Sequence, residues 1–189
     1  MARCTGFLVA PDRVATAAHC LYSARLGRFI PPQSVHVLLG YDAGRHAGHA
    51  TVATYRLAEG YDPRRTPRAH GADIAVLALA RGLSAPWLVL GEAAPGAQVV
   101  LGGYNRDRAE VIAADLACRV SGWAQDGTGR ALLAHDCAGT FGTSGAPLLQ
   151  RDGDGRWRAV GVQVASQPAR GQSYAVPAAA IAAILALLP

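Results

Sequence analysis

Short apolar segments bounded by turn residues recur along the whole chain. Each run has the length of a strand, and many such short runs separated by turns are typical of all-β proteins. We therefore predict an all-β protein. The segments predicted as strands are 4–10, 14–18, 35–41, 50–57, 74–79, 98–104, 111–120 and 157–165.

Two parts of the chain depart from the strand pattern. The stretch 80–97 is rich in glycine and proline, which interrupt regular elements, so we predict a linker over 81–97 that divides the chain into two nearly equal halves. The tail after Pro177 is rich in alanine and leucine. Because proline suits a first helical position and both residues favour helix, we predict a single C-terminal helix there.

Size and composition favour one folded domain over residues 1–189. The chain has 189 residues, of which 51% are hydrophobic and 16% charged, which is too apolar for a disordered chain. Its most apolar run, 178–188, is shorter than the roughly 20 residues that cross a bilayer. We predict no membrane span.

The basic charge raises the question of nucleic acid binding. All 18 basic residues are arginine, and the formal net charge is +5. The arginines are scattered, however, and aromatic residues make up only 6% of the chain. Because a nucleic acid groove combines clustered positive charge with aromatic platforms, we predict no nucleic acid partner.

The four cysteines form two local pairs, Cys4 with Cys20 and Cys118 with Cys137. Neither pair has the close spacing of a zinc knuckle, so we predict two disulfides, with four reduced buried thiols as the alternative. Disulfides persist in oxidising compartments. We therefore expect a secreted or periplasmic protein, although the first residues lack a signal-peptide pattern.

Three motifs carry candidate chemistry for peptide-bond hydrolysis. Segment 16–20 (TAAHC) places His19 at the end of an apolar strand, and segment 71–77 (GADIAVL) places Asp73 at the start of another. Segment 141–147 (FGTSGAP) places Ser144 between glycines, where the backbone turns tightly and exposes amide groups. A hydroxyl, a base, a carboxylate and amide donors are the groups that serine catalysis needs.

In the order His, Asp, Ser, these motifs resemble those of the chymotrypsin-fold serine peptidases. The resemblance implies two antiparallel β-barrels of the six-stranded type followed by a C-terminal helix. The first barrel would occupy 1–80, the linker 81–97, and the second barrel with the helix 98–189. Cys4 lies one strand before segment 16–20, where the family places the partner of the cysteine at position 20.

The same resemblance implies the roles of the site residues. Ser144 would be the nucleophile, His19 the general base and then acid, and Asp73 the carboxylate that fixes the tautomer of His19. The backbone N–H groups of Gly142 and Ser144 would form the oxyanion hole. Asp42 and Asp62 are the alternatives to Asp73. No cofactor is implied.

Position 143 points to one branch of the family. Digestive members carry an aspartate before the serine, which binds a freshly cut N-terminus, whereas this chain has Thr143. Segment 142–145 (GTSG), together with 135–137 (HDC), is closer to the bacterial branch that includes the glutamyl endopeptidases. We therefore expect no activation switch of the digestive type.

The beginning of the chain predicts an incomplete first barrel. In the family, an opening strand precedes the first cysteine, but only residues 1–3 precede Cys4. We therefore expect that barrel to lack its opening strand. A mis-assigned start or truncated fragment is one explanation, and a shortened barrel with an exposed edge is the other.

The resemblance also locates a substrate pocket. Ala138 stands where trypsin-like members carry aspartate, and Gln163 stands where the glutamyl-specific branch carries histidine. Neither cleavage after Arg or Lys nor cleavage after Glu is therefore expected, and a small or apolar side chain is the hypothesis. Val164, Ala165 and Ser166 would form the edge that pairs with the substrate backbone.

Four other histidines invite a metal hypothesis, namely His36, His46, His49 and His70. The spacing of His46 and His49 suits one ion if that segment is helical, but glycines and a predicted strand surround it. We interpret the region as a solvated loop and predict no metal.

We predict a secreted bacterial serine endopeptidase that acts on proteins or peptides as a monomer. The alternative is a catalytically silent homologue that serves as a binding module, which the incomplete barrel favours and the intact motifs disfavour. A triad esterase on an α/β fold conflicts with the triad order and the scarcity of helices.

Overall fold

The structure is a computed structural model that describes residues 4–65, 68–105, 110–139 and 142–188. It is an all-β protein with one C-terminal α-helix, as predicted. The strands of the first half are β1 Gly6–Ala10, β2 Arg13–Thr16, β3 Tyr22–Ser23, β4 Arg28–Phe29, β5 His36–Leu39, β6 Gly48–Leu57 and β7 Ala75–Leu79. Those of the second half are β8 Val89–Leu90, β9 Gln98–Tyr104, β10 Ile112–Gln125, β11 Ala131–His135, β12 Pro147–Arg151, β13 Trp157–Gln167 and β14 Gln172–Pro177.

The second half forms a closed antiparallel barrel. Its strands follow one another in the order β12, β9, β10, β11, β14 and β13, and pairing of β12 with β13 closes the ring. The interior is filled mainly by aliphatic side chains, which include Val99, Leu101, Leu133 and Leu148. This half confirms the predicted six-stranded barrel.

The first half is an open sheet. Its strands lie in the order β1, β2, β7, β6, β5, so β1 and β5 are edges. A groove of about 460 Å³ is lined by the residues of both edges. The expectation that the first barrel lacks one strand is confirmed, and residues 1–3 lie outside the described part of the chain.

Strand β7 organises the first sheet. All five of its residues, Ala75–Leu79, are buried, which explains why this segment is continuously apolar instead of alternating. It pairs with β2 on one side and β6 on the other. Because β2 ends at Thr16 opposite Ala75, the residues that follow β2 lie beside those that precede β7.

Three strands that the sequence did not predict complete the second barrel, namely β11, β12 and β14. In addition, the predicted linker contains β8, which pairs in parallel with β13. The helix α1 spans Ala179–Leu185 and buries Ile181 and Ile184. No helix in the described ranges combines the length and apolar content needed to cross a membrane.

Candidate active site

His19 lies in a short 3-10 turn, Ala18–Leu21, that follows β2. The turn is anchored in the core because Ala17 and Ala18 are fully buried. The disulfide between Cys4 and Cys20 ties the next residue to the start of β1. The imidazole is thereby fixed at the end of a central strand, with 33% of its side chain exposed.

Asp73 lies between the 3-10 turn His70–Ala72 and β7, and its side chain is only 1% exposed. Its Oδ1 accepts a hydrogen bond from the backbone N–H of His19 at 2.8 Å, and its Oδ2 lies 2.6 Å from Nδ1 of the same residue. When Nδ1 donates its hydrogen to this carboxylate, Nε2 keeps its lone pair. Nε2 of His19 can then accept a proton.

The two alternative carboxylates have other partners. The Asp62 carboxylate accepts hydrogen bonds from the backbone N–H and the side chain of Arg64. Asp42 forms an exposed ion pair with Arg45. Neither makes a hydrogen bond to His19 within the described residues. The geometry therefore favours Asp73 as the partner of His19.

Thr5 holds the loop that carries Ser144. Its N–H donates to the Ser144 carbonyl oxygen at 2.9 Å, and its hydroxyl donates to the Gly142 carbonyl oxygen at 3.0 Å. The Thr5 carbonyl oxygen in turn accepts from the Thr16 hydroxyl at 2.8 Å. Thr5 was not predictable as part of the site, because this contact joins residues 137 positions apart.

Gly145 packs directly against the same residues. A Cβ at this position would lie 2.2 Å from the Thr5 carbonyl oxygen and 2.3 Å from the Thr16 hydroxyl, and its φ is +83°. Only glycine satisfies both conditions. The residue after Ser144 is thus pressed against the strand end that leads to His19.

The structure brings His19 and Asp73 into direct contact and holds the Ser144 loop beside them. Within the described residues, no hydrogen bond joins the Ser144 hydroxyl to Nε2 of His19. In unliganded active sites this bond is often long and tightens when substrate binds. The arrangement is therefore compatible with a serine nucleophile whose hydrogen bond to His19 forms when substrate binds.

The amides of Gly142 and Ser144 are available as donors. Neither donates a hydrogen bond to another described residue, and Gly142 has a φ of +105°, which few residues other than glycine adopt. Residues 140 and 141 lie outside the described part of the chain. Two unengaged amides beside a serine are what an oxyanion requires.

His70 is a neighbour of this site that the sequence did not assign to it. It is half-buried, and its buried Nδ1 has no hydrogen-bond partner among the described residues. Burial lowers the pKa of His70, and the negative charge of nearby Asp73 acts in the opposite direction. A second imidazole, whose charged form is disfavoured by burial, therefore borders the His19–Asp73 pair.

A buried polar network occupies the region of the predicted pocket. The side-chain amide of Gln163 accepts from Nε2 of His135 at 2.8 Å and donates to the Ser166 hydroxyl at 2.8 Å. The Ser173 hydroxyl joins Ser166 to the Cys137 carbonyl oxygen. His135 is fully buried, and burial lowers its pKa to about 4. It is therefore neutral at pH 7.

The other predicted pocket residues are placed differently. Ala138 is exposed, and its N–H donates to the carboxylate of Asp115. Val164 is buried in the core. Gly139, next to Ala138, contacts Ser166 closely, because a Cβ on it would lie 2.5 Å from the serine hydroxyl.

Among the described residues, two groups of potential metal ligands lie at the cysteines, one with His19 and the other with Asp136. In both groups the cysteine sulfurs are joined, as Cys4–Cys20 and Cys118–Cys137. A disulfide sulfur is not the thiolate that binds metals. These groups therefore do not form metal centres in the oxidised protein.

Known proteins show what this fold resembles. Residues 4–162 match the family described as "Trypsin-like peptidase domain". A Glu endopeptidase is 20% identical, with a TM-score of 0.76 over 97% of this chain and 84% of that one. The inactive form of the Rv3671c protease is 26% identical, with a TM-score of 0.66 over 97% and 82% of the two chains. Its active form, from M. tuberculosis, is 24% identical, with a TM-score of 0.58 over 97% and 72%. No curated protein sequence matches the chain significantly.

Proposed function

Because the chain belongs to the trypsin-like peptidase family, we propose that it is a serine endopeptidase with Ser144, His19 and Asp73 as its catalytic triad. The observation that carries this proposal is the double contact of buried Asp73 with the backbone and ring of His19. Such an arrangement orients an imidazole for proton transfer.

The proposed reaction proceeds through an acyl-enzyme. Nε2 of His19 takes the proton of the Ser144 hydroxyl as its oxygen attacks the substrate carbonyl, and the amides of Gly142 and Ser144 stabilise the oxyanion. His19 then gives the proton to the leaving amine as the peptide bond breaks. A water molecule, deprotonated by His19, cleaves the ester and restores the Ser144 hydroxyl.

Asp73 stabilises the imidazolium that forms in each half of the reaction. Its carboxylate is removed from water, so its attraction for the charged ring is weakly screened. It also holds the ring in one orientation between the two proton transfers. No cofactor takes part in this mechanism.

The pocket supports an uncharged substrate side chain before the scissile bond. The Gln163 side chain is buried and engaged on all sides, by His135, Ser166 and the Ala165 carbonyl oxygen, and His135 behind it is neutral. An acidic side chain would find no positive charge in this network, and the close contact between Gly139 and Ser166 leaves little depth for a long basic one. We therefore propose small residues at this position.

An open strand edge supports the proposed binding of substrate backbone at Val164, Ala165 and Ser166. In this part of β13, Ala165 and Ser166 pair with β14, whereas the pairing with β12 ends at Val162. Within the described residues, no other strand pairs with the second edge, and the Ala165 carbonyl oxygen accepts from the Gln163 side chain. An extended peptide can add there as another strand.

The disulfides support action outside the reducing cytosol. Both cysteine pairs are joined, and such bonds persist in oxidising compartments. We propose a secreted or periplasmic enzyme that acts as a monomer on proteins or peptides.

The open first sheet favours a second candidate, a silent homologue that binds partners without cleaving them. A fluorophosphonate probe distinguishes the two. Stoichiometric labelling that is lost in Ser144→Ala and kept in Ser121→Ala, a change at an exposed strand serine, is the result expected of the enzyme. Folded protein that remains unlabelled overturns the catalytic proposal.

A further inference from the structure

Three histidines converge on the hairpin of β5 and β6, away from the residues of the proposed mechanism. His36 begins β5 and His49 lies near the start of β6, where the antiparallel register pairs His36 with Thr51 and Leu38 with His49. His46 lies in the connection between the two strands. All three are at least partly exposed, so their nitrogens are accessible from solvent.

His36 and His49 are already in contact. Nδ1 of His36 lies 2.9 Å from Nε2 of His49, and their rings are stacked with centroids 5.1 Å apart. Imidazole nitrogens bind zinc at about 2.0–2.1 Å, so two such ligands lie about 2.9 Å apart at a right angle and about 3.3 Å apart at the tetrahedral angle. The pair is thus within a few tenths of an ångström of chelating distance.

His46 can complete the set. Its ring centroid lies 6.1 Å from that of His49. A coordinated metal lies about 3.2 Å from the centroid of each imidazole ligand, so two rings that share an ion have centroids no more than about 6.4 Å apart. Because His46 is exposed, rotation of its side chain brings a nitrogen toward the pair without moving the strands.

We propose that His36, His49 and His46 form a binding site for a divalent transition-metal ion, for which zinc is the probe. Neutral imidazole is a preferred ligand of zinc, copper and nickel and a poor one of magnesium. On binding, the hydrogen shared by the His36–His49 pair moves to the outer nitrogen of its ring, and the ion takes the two facing lone pairs. The rearrangement itself neither gains nor loses a proton.

An ion at this site would stabilise the edge of the first sheet. Strand β5 is an edge of the open sheet and pairs only with β6 among the described strands. An ion held by His36 on β5 and His49 on β6 would tie this edge to its neighbour. Since a ligand that binds the folded state stabilises it by mass action, zinc is expected to raise the melting temperature, whether or not the protein cleaves peptides.

The test uses the whole chain and its imidazole signals. In ¹H–¹⁵N spectra, zinc chloride is expected to shift the rings of His36, His46 and His49 and to leave those of His19, His70 and His135 in place. In calorimetric titrations, His36→Gln combined with His49→Gln is expected to weaken zinc binding at least about 100-fold, and His46→Gln about 10-fold. Magnesium chloride should give no heat.

The double variant changes two partly exposed side chains, so its circular dichroism should match that of the wild type. The zinc-induced rise in melting temperature should disappear in it. Zinc affinity that is unchanged in the folded double variant, or ring shifts confined to His19 and His70, would overturn the site. Loss of fluorophosphonate labelling alone would overturn the proposed peptidase and leave this site intact.

Discussion

Asp73 holds His19 through both of its carboxylate oxygens, one on the backbone N–H and the other on Nδ1 of the ring. The first contact fixes the position of the residue and the second fixes its tautomer. These two effects can be separated by a substitution that keeps one contact and reverses the other.

Asp73→Asn is such a substitution. The amide oxygen can still accept from the His19 backbone, but the amide nitrogen then faces Nδ1 as a donor and shifts the ring hydrogen to Nε2. We expect kcat for peptide hydrolysis to fall on the order of 10⁴-fold, as loss of the correct tautomer does in serine triads. Steady-state kinetics measure this, with Asp154→Asn in an exposed hairpin as the control. A loss below ten-fold would contradict the assigned role.

Gly145→Ala tests the contact that positions the nucleophile loop. The added methyl group would lie 2.2 Å from the Thr5 carbonyl oxygen at a φ of +83°. We expect a loss of stability of about 3 kcal/mol or more, since overpacking and the left-handed conformation both contribute. Urea unfolding measures it.

Gly129→Ala is the matched control for this loss. Gly129 has the same φ of +83°, but nothing lies within 4 Å of the added group. Only the conformational cost, about 1–2 kcal/mol, is expected there. Equal losses of stability in Gly145→Ala and Gly129→Ala would contradict the close contact between Gly145 and Thr5.

The motifs that carry the proposed triad were predictable because each is local. Segment 16–20 carries its histidine, cysteine and apolar strand together, and β7 is a continuous apolar run. Strands β12 and β14 were not predicted, because β12 begins at Pro147 inside the segment read as a serine loop, and β14 is short and interrupted by polar residues. Thr5 and His135 act through contacts with residues distant in the chain, which no local pattern encodes.

The neutrality of buried His135 gives stability a defined pH dependence. Burial lowers its folded pKa to about 4, whereas the unfolded chain takes up the proton near the ordinary value of about 6.5. Between these values the unfolded state binds more protons, so stability is full above pH 6.5 and falls as pH decreases toward 4. The loss is about 3 kcal/mol over this window.

His135→Gln removes the titration but keeps a donor for the Gln163 side chain. The difference between the pH 7 and pH 4 unfolding free energies, measured in urea, is expected to be about 3 kcal/mol smaller in this variant than in the wild type. Carboxylates contribute equally to both proteins. Parallel pH profiles would show that His135 is not buried as a neutral ring.

Thr5→Val tests whether the loop of Ser144 is held from β1. The substitution keeps the shape and the backbone N–H bond to Ser144, but it removes the hydroxyl that donates to Gly142 and accepts from the N–H of Tyr104. We expect a stability loss of about 1–2 kcal/mol from the two partly buried groups left unpaired. Since Gly142 supplies an oxyanion donor in the proposed mechanism, kcat should fall more than KM rises. The control is Thr51→Val, at a strand residue whose hydroxyl makes no hydrogen bond among the described residues, and it should change neither stability nor kcat. A kcat that stays at the wild-type value in Thr5→Val would show that the oxyanion amides do not depend on the Thr5 hydroxyl.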